Sequence, residues 1–229
     1  MKEIVNNYKE ALLKSHKSEN TVYAYVTDVN LYVKYLNSKE INIDETDNVS
    51  VLGYIQHLLS QGKSERSINR IVISLRSFYN YLKDQEVVRE IPKIYYKNTS
   101  TTRKLPEILT IDEVDRIIRI VDKDSNKGIR DNALLELMYA TGLRVSELVS
   151  IEYSNIDFEN SIIRINGKGK KERIIPLGEV ASYYLKVYLS DYRSKLLKRN
   201  TYNQVFLNNH GKPITRQGFN YILENIREL

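Results

Sequence analysis

Residues 134–177 constrain this chain more than any other stretch. They begin L-L-E-L-M-Y-A-T-G-L-R-V-S-E-L, pass through a short alternating segment and close on R-I-N-G-K-G-K-K-E-R-I-I-P-L. Leu134, Leu137 and Met138 before Thr141-Gly142, and Val145, Leu148 and Val149 after it, keep helical spacing on both sides of a break. Gly142 lets one helix stop and another begin, which puts Arg144 in the first turn of the new helix. Glu147 follows three residues later, so the two side chains are neighbours on that surface. The carboxylate can hold the guanidinium in one rotamer while its fork still faces outward. A guanidinium fixed in this way suits a phosphate.

Further on, Ile163 and Ile165 alternate with Arg164 and Asn166, the chain turns through Gly167-Lys168-Gly169, and Arg173-Ile174-Ile175 returns. This predicts a β-hairpin with a basic tip. The flanking glycines leave nothing bulky beside the Lys168 ammonium. G-K-G-K is not a nucleotide phosphate-binding loop, because it lacks the spaced second glycine and the Ser or Thr after lysine that such a loop requires.

Composition narrows the function classes. The chain has 229 residues, 41% hydrophobic and 28% charged, which fits two ordinary domains or one large one. No apolar run approaches a membrane span and M-K-E-I-V-N-N-Y lacks the apolar core of a signal peptide, so a cytoplasmic protein with no membrane partner is expected. Without cysteine there is no disulfide or thiolate chemistry, and His16, His57 and His210 are scattered, so no metal or other cofactor is expected. The net charge is +6 and lies entirely in the second part: residues 1–88 carry 11 basic and 11 acidic side chains, and residues 89–229 the remaining 24 and 18. The excess gathers in the segment Arg89 to Lys104 and at Lys168, Lys170, Lys171 and Arg173, where a polyanion such as DNA could run.

The rest of the chain reads as mainly α with one small antiparallel β-sheet. Residues 1–88 predict four helices: one ending near Ser15, a second capped by Ser18, a third over about Val49 to Ser60, and a fourth capped by Ser64 with Ile68, Ile71, Leu75, Phe78 and Leu82 on one stripe. The opposite face of the fourth carries Arg66, Asn69, Arg70, Arg76, Asn80 and Lys83, either a solvated surface or a DNA-binding one. Residues 89–104, ending in K-N-T-S-T-T-R-K, read as a basic linker, tether or DNA-tracking segment. From 105 onward, Thr110 caps a helix with Glu113 at the capping-box position, and a second helix spans Lys127 to Ala140. A long helix from Glu179 to Leu197 is expected to bury Val180, Tyr184, Val187, Tyr188 and Leu196, and a last helix starts at Thr215.

A-T-G-L-R-V-S-E-L followed by I-N-G-K-G-K-K-E-R-I-I-P-L resembles the catalytic domain of the tyrosine recombinases, the DNA breaking-and-joining family that includes phage integrases and the Xer resolvases. S-E-N-T-V-Y-A-Y-V-T-D-V and S-I-N-R-I-V-I-S-L-R-S-F-Y-N-Y-L resemble that family's N-terminal core-binding domain, and T-R-Q-G-F-N-Y-I-L matches further along. The resemblance implies a helical core-binding domain at 1–88, the linker, and a catalytic domain at 105–229. It implies that Arg144 contacts the scissile phosphate, that Glu147 supports the site from behind, and that Lys168 protonates the leaving 5′ oxygen. Arg66, Asn69, Arg70, Arg76, Lys170, Lys171 and Arg173 would bind the DNA.

In this family a tyrosine attacks the phosphate to form a 3′-phosphotyrosine link, conserving bond energy for the reverse step. The His-x-x-Arg box and that tyrosine are expected after the helix at Thr215 and are not found, so the catalytic domain is expected to be partial. These 229 residues are then expected to be a monomer without DNA and to bind double-stranded DNA without forming the covalent adduct, whereas the full-length recombinase would act as a homo- or hetero-tetramer on DNA. A non-catalytic DNA-binding remnant or regulator is the alternative.

Overall fold

The computed structural model describes residues 1–94, 96, 108–166, 172–197 and 201–228. The chain divides into two compact units, Met1–Leu105 and Pro106–Leu229.

Among the described residues, the first unit contains four α-helices: α1 (Lys2–Lys14), α2 (Glu19–Ser38), α3 (Asn48–Ser60) and α4 (Glu65–Asp84). Their starts follow from the residues just before them. Ser18 and Ser64 accept hydrogen bonds from the backbone N–H of Thr21 and Ser67, and Asp47 and Ser50 form a reciprocal capping box. The core sits where α2 and α4 face each other, with Val29, Tyr32 and Leu36 from one and Ile68, Leu75, Phe78 and Leu82 from the other all fully buried. It is rich in tyrosine, and the Tyr32 and Tyr79 hydroxyls satisfy each other at 2.6 Å. Within the stretch read from composition as the start of a linker, Ile91, Ile94 and Tyr96 pack against this core. Ile94 is buried, Arg76 Nη2 donates to its carbonyl at 2.7 Å, and Lys93 N–H donates to Asn48 Oδ1 at 2.6 Å. The rest of the expected linker lies outside the described residues.

The second unit opens with α5 (Ile111–Ile120), capped by Thr110 and Glu113 through the expected reciprocal box. The helix α6 (Asn126–Thr141) buries Ala133, Leu134 and Leu137 and ends on Gly142, whose left-handed backbone (φ 59°) is the conformation that favours glycine. A short helix, α7 (Val145–Ser150), follows, then three antiparallel strands in sequential order: β1 (Ile156–Asp157), β2 (Ile162–Asn166) and β3 (Glu172–Pro176). The register pairs Ile163 with Ile175 and Ile165 with Arg173, so these four share one face and Ile163 and Ile165 enter the core. The expected hairpin is therefore two strands of a three-stranded sheet. β1 is only two residues long and leaves too little alternation to be recognised.

The single long helix expected over Glu179–Leu197 is instead α8 (Glu179–Val187), a wide π turn (Tyr188–Tyr192) and α9 (Arg193–Leu196). Tyr188 is fully buried as expected and Tyr184, Val187 and Leu196 are half-buried against the core, but Val180 is exposed, because the most buried line of the helix runs through Ala181, Leu185 and Tyr188. Past the π turn, Arg193 is buried beneath residues 202–205 and donates to the carbonyls of Tyr202, Gln204 and Val205 at 2.6–2.9 Å. Arg130, buried in α6 and paired with Asp131, donates to the Leu207 carbonyl at 3.0 Å and to Asn209 Oδ1 at 3.1 Å. These two guanidiniums bind an irregular segment to the unit from below. The last helix, α10 (Arg216–Arg227), begins one residue after the expected Thr215, which is its N-cap.

No described helix is long and apolar enough to cross a membrane.

Candidate phosphate-binding site

The site is built on the break between α6 and α7. Gly142 ends α6, Leu143 turns into the core, and Arg144 becomes the N-cap residue of α7 rather than a residue of its first turn. Its extended backbone (φ −65°, ψ 146°) sends the side chain outward, where it is 75% exposed. Glu147 reaches back and binds it twice: Oε2 accepts the Arg144 backbone N–H at 2.8 Å, and Oε1 accepts from Nη1 at 3.1 Å. The spacing of three residues on a helix start thus caps the helix and orients the guanidinium with one carboxylate.

That carboxylate is itself held. Arg173 on β3 donates Nη1 to Glu147 Oε1 at 2.9 Å and Nη2 to Oε2 at 2.7 Å, a bidentate pair. The Glu147 side chain is mostly buried, and the Arg173 hydrogen bonds, with those from Arg144, hold its carboxyl down to about 2. Beside it opens a polar cavity of about 350 Å³, lined by Glu147, Ser150, Glu152, Ser154, Asn155 and Arg164 among others.

Because the folded-state value lies below the usual 4.5, Glu147 stabilises the fold above that value and loses the contribution as pH falls toward about 2. Glu147→Gln is therefore expected to be less stable than the wild type at neutral pH, with the gap closing between pH 4.5 and about 2, as read from urea midpoints across an acid series. A gap that stays constant with pH would show that the carboxylate's charge is not what ties α7 to β3.

Of the other residues singled out in the sequence, Lys168, Lys170 and Lys171 lie outside the described residues. Arg173 spends both terminal nitrogens on Glu147. Strand alternation carried that signal, since Arg173 shares a face with Ile175 rather than with the exposed Ile174. On α4 in the first unit, Arg66 is exposed, Asn69 is half-buried, Arg76 holds Ile94, and Arg70 pairs with the buried Asp28 at 2.5 Å. Sequence reasoning misses Asp28 altogether, although it lies four residues from Tyr32, on the buried side of α2. Among the described residues, no group of three or more His, Cys, Asp or Glu side chains could hold a metal ion.

Comparison with known proteins identifies the family of the chain. Residues 107–229 match the profile of the phage integrase family, and residues 5–86 match that of the phage integrase N-terminal SAM-like domain. The chain is 39% identical over 212 residues to the tyrosine recombinase XerD of Oceanobacillus iheyensis, covering 91% of this chain and 71% of that protein. It is 36% identical over 230 residues to the XerD of Listeria innocua, covering 99% and 77%. In fold it is similar to the Tn1549 transposon integrase solved with circular intermediate DNA (TM-score 0.74, 17% identity, 98% and 77% covered). It is also similar to a lambda integrase dimer bound to a core site (TM-score 0.66, 14% identity, 100% and 77% covered). With a catalytic-domain profile over more than half its length and XerD relatives along nearly all of it, the chain belongs to the phage integrase family of tyrosine recombinases.

Proposed function

We propose that this chain works in site-specific DNA recombination, cutting and rejoining duplex DNA through a 3′-phosphotyrosine intermediate, with Arg144 on the scissile phosphate. The observation that carries the reading is the Arg144–Glu147–Arg173 cluster, an exposed guanidinium oriented from behind by a carboxylate that is itself clamped. Displacement at a phosphodiester builds negative charge on the non-bridging oxygens and on the leaving 5′ oxygen. A guanidinium already in place stabilises that charge without reorganising. Lys168 is the proposed proton donor to the leaving oxygen, by resemblance to the family. Lys170 and Lys171, with Arg66, Asn69, Arg70 and Arg76 in the first unit, are proposed to meet the DNA backbone. Arg173 is proposed to serve the phosphate through Glu147.

The nucleophile is a separate matter. Of the described tyrosines in the second unit, Tyr188 is fully buried, and Tyr153, Tyr184 and Tyr192 each lie against a cation, Arg193, Lys123 and Lys195 respectively. Tyr139, Tyr183 and Tyr221 are exposed on α6, α8 and α10. None has the sequence context of the family's nucleophile, so the polypeptide Met1–Leu229 by itself is proposed to bind duplex DNA without becoming joined to it. Incubation with a nicked suicide duplex, resolved on a denaturing gel, is expected to give no protein–DNA adduct, while a native gel shows binding. An adduct would overturn this part of the proposal, and Tyr139→Phe, Tyr183→Phe and Tyr221→Phe would then show whether one of these residues is responsible. Absence of duplex binding at low salt would overturn the reading as a whole.

A further inference from the structure

In the first unit, a second guanidinium is held by a carboxylate, and here the carboxylate is buried. Asp28 on α2 is 1% exposed, in a core whose other buried residues are, apart from Ser74, apolar or phenolic. Its Oδ2 accepts from Arg70 Nη1 at 2.5 Å and from Ser74 Oγ at 2.7 Å, both on α4, while Oδ1 has no hydrogen-bond partner among the described residues. The Arg70 side chain is half exposed, so one end of the guanidinium is anchored in the bundle and the other is open to solvent. Arg66, one turn earlier on the same face of α4, is exposed as well.

We propose that Asp28 is a positioning residue for DNA binding: it fixes the Arg70 guanidinium so that α4 presents its free edge to a backbone phosphate. This rests on the reading above that α4 meets DNA, and it adds a residue with no access to the DNA itself. An unanchored arginine loses much rotamer freedom on reaching a phosphate, and an arginine already held at one nitrogen loses less. The planar fork allows this, since it can give one N–H to Asp28 and still offer others outward. A lysine ammonium has no second edge to offer.

Simple electrostatics and positioning predict opposite signs. Asp28→Asn removes a negative charge close to a proposed polyanion contact, so by charge alone it would tighten duplex binding. A role confined to holding α2 against α4 would lower stability but leave the affinity of the folded protein unchanged or improved. Positioning predicts weaker binding, and only while Arg70 is present.

The test is fluorescence-anisotropy titration of a labelled random-sequence duplex over a salt series, with the folded fraction of each variant checked by circular dichroism. Arg70→Gln is expected to weaken binding several-fold and to reduce the salt slope by about 1. Asp28→Asn is expected to weaken binding about threefold or more, and to have no further effect in the Arg70→Gln background. Unchanged or tighter binding by Asp28→Asn would overturn the positioning role while leaving DNA binding intact. An Arg70→Gln variant that binds like the wild type would overturn it by taking Arg70 off the interface. If Asp28→Asn does not fold, Arg70→Lys decides. It keeps the cation and loses the fork, so it should bind less tightly than wild type, and wild-type affinity would overturn the proposal.

Discussion

Arg144→Ala is expected to slow strand cleavage by about 10²- to 10³-fold while changing duplex affinity only a few-fold. The two effects separate because many phosphate contacts share the affinity, whereas a fixed cation at the scissile phosphate acts mainly on the charge that develops during displacement. Arg144→Lys should recover little of the rate. A lysine keeps the charge but has no planar fork that can rest one nitrogen on Glu147 Oε1 and turn others to a phosphate. The measurement is single-turnover cleavage by the cleavage-competent form of the recombinase, with anisotropy binding curves taken alongside. Equal losses in cleavage and affinity would show that Arg144 is a binding contact and not part of the chemistry.

Gly128→Ala is expected to destabilise the second unit by about 3 kcal/mol or more. Gly128 is the third residue of α6 and donates its N–H to the capping Ser125 Oγ at 3.1 Å. A methyl group there would sit 1.5 Å from the carbonyl oxygen of Asp122, a backbone atom with no side-chain freedom to move aside. The turn before α6 would have to shift, and α6 carries Leu134, Leu137 and, at its far end, the Gly142 break that aims Arg144. Gly178→Ala is the control, since that position, the N-cap of α8, has an ordinary φ of −62° and nothing within 4 Å of an added methyl, and its cost should stay within about 1 kcal/mol, the N-cap preference for Gly over Ala. Urea unfolding compares the two, and limited proteolysis shows which unit opens. New cuts are expected within 108–228, with 1–94 still resistant. Equal stability of the two variants would mean that the close approach at Asp122 relaxes freely.

What the sequence displayed and what it hid follow from the range of each interaction. Caps are local, so Ser18, Ser64 and the Thr110–Glu113 pair could be read directly, and so could Arg144 with Glu147, three residues apart. Arg173 was readable in principle from alternation. Its partner lies 26 residues away and its charge pointed toward DNA, which concealed the inward face. Long-range polar contacts left no local pattern. Arg130 reaches Leu207 over 77 residues and Arg70 reaches Asp28 over 42. Val180 is misplaced for a different reason, because apolar and aromatic residues crowd Val180–Tyr188 and the spacing alone does not say which edge of that broad stripe faces inward.

The pairing of Glu147 with both Arg144 and Arg173 also bears on selectivity. Two guanidiniums and one carboxylate leave a single unit of positive charge spread over three side chains, so the cluster pulls on distant anions far less than its arginine content suggests. What it offers instead is a shape already assembled. A stray chloride or free nucleotide gains little from that, while a phosphate delivered at the correct height and angle by a bound duplex gains the whole of it.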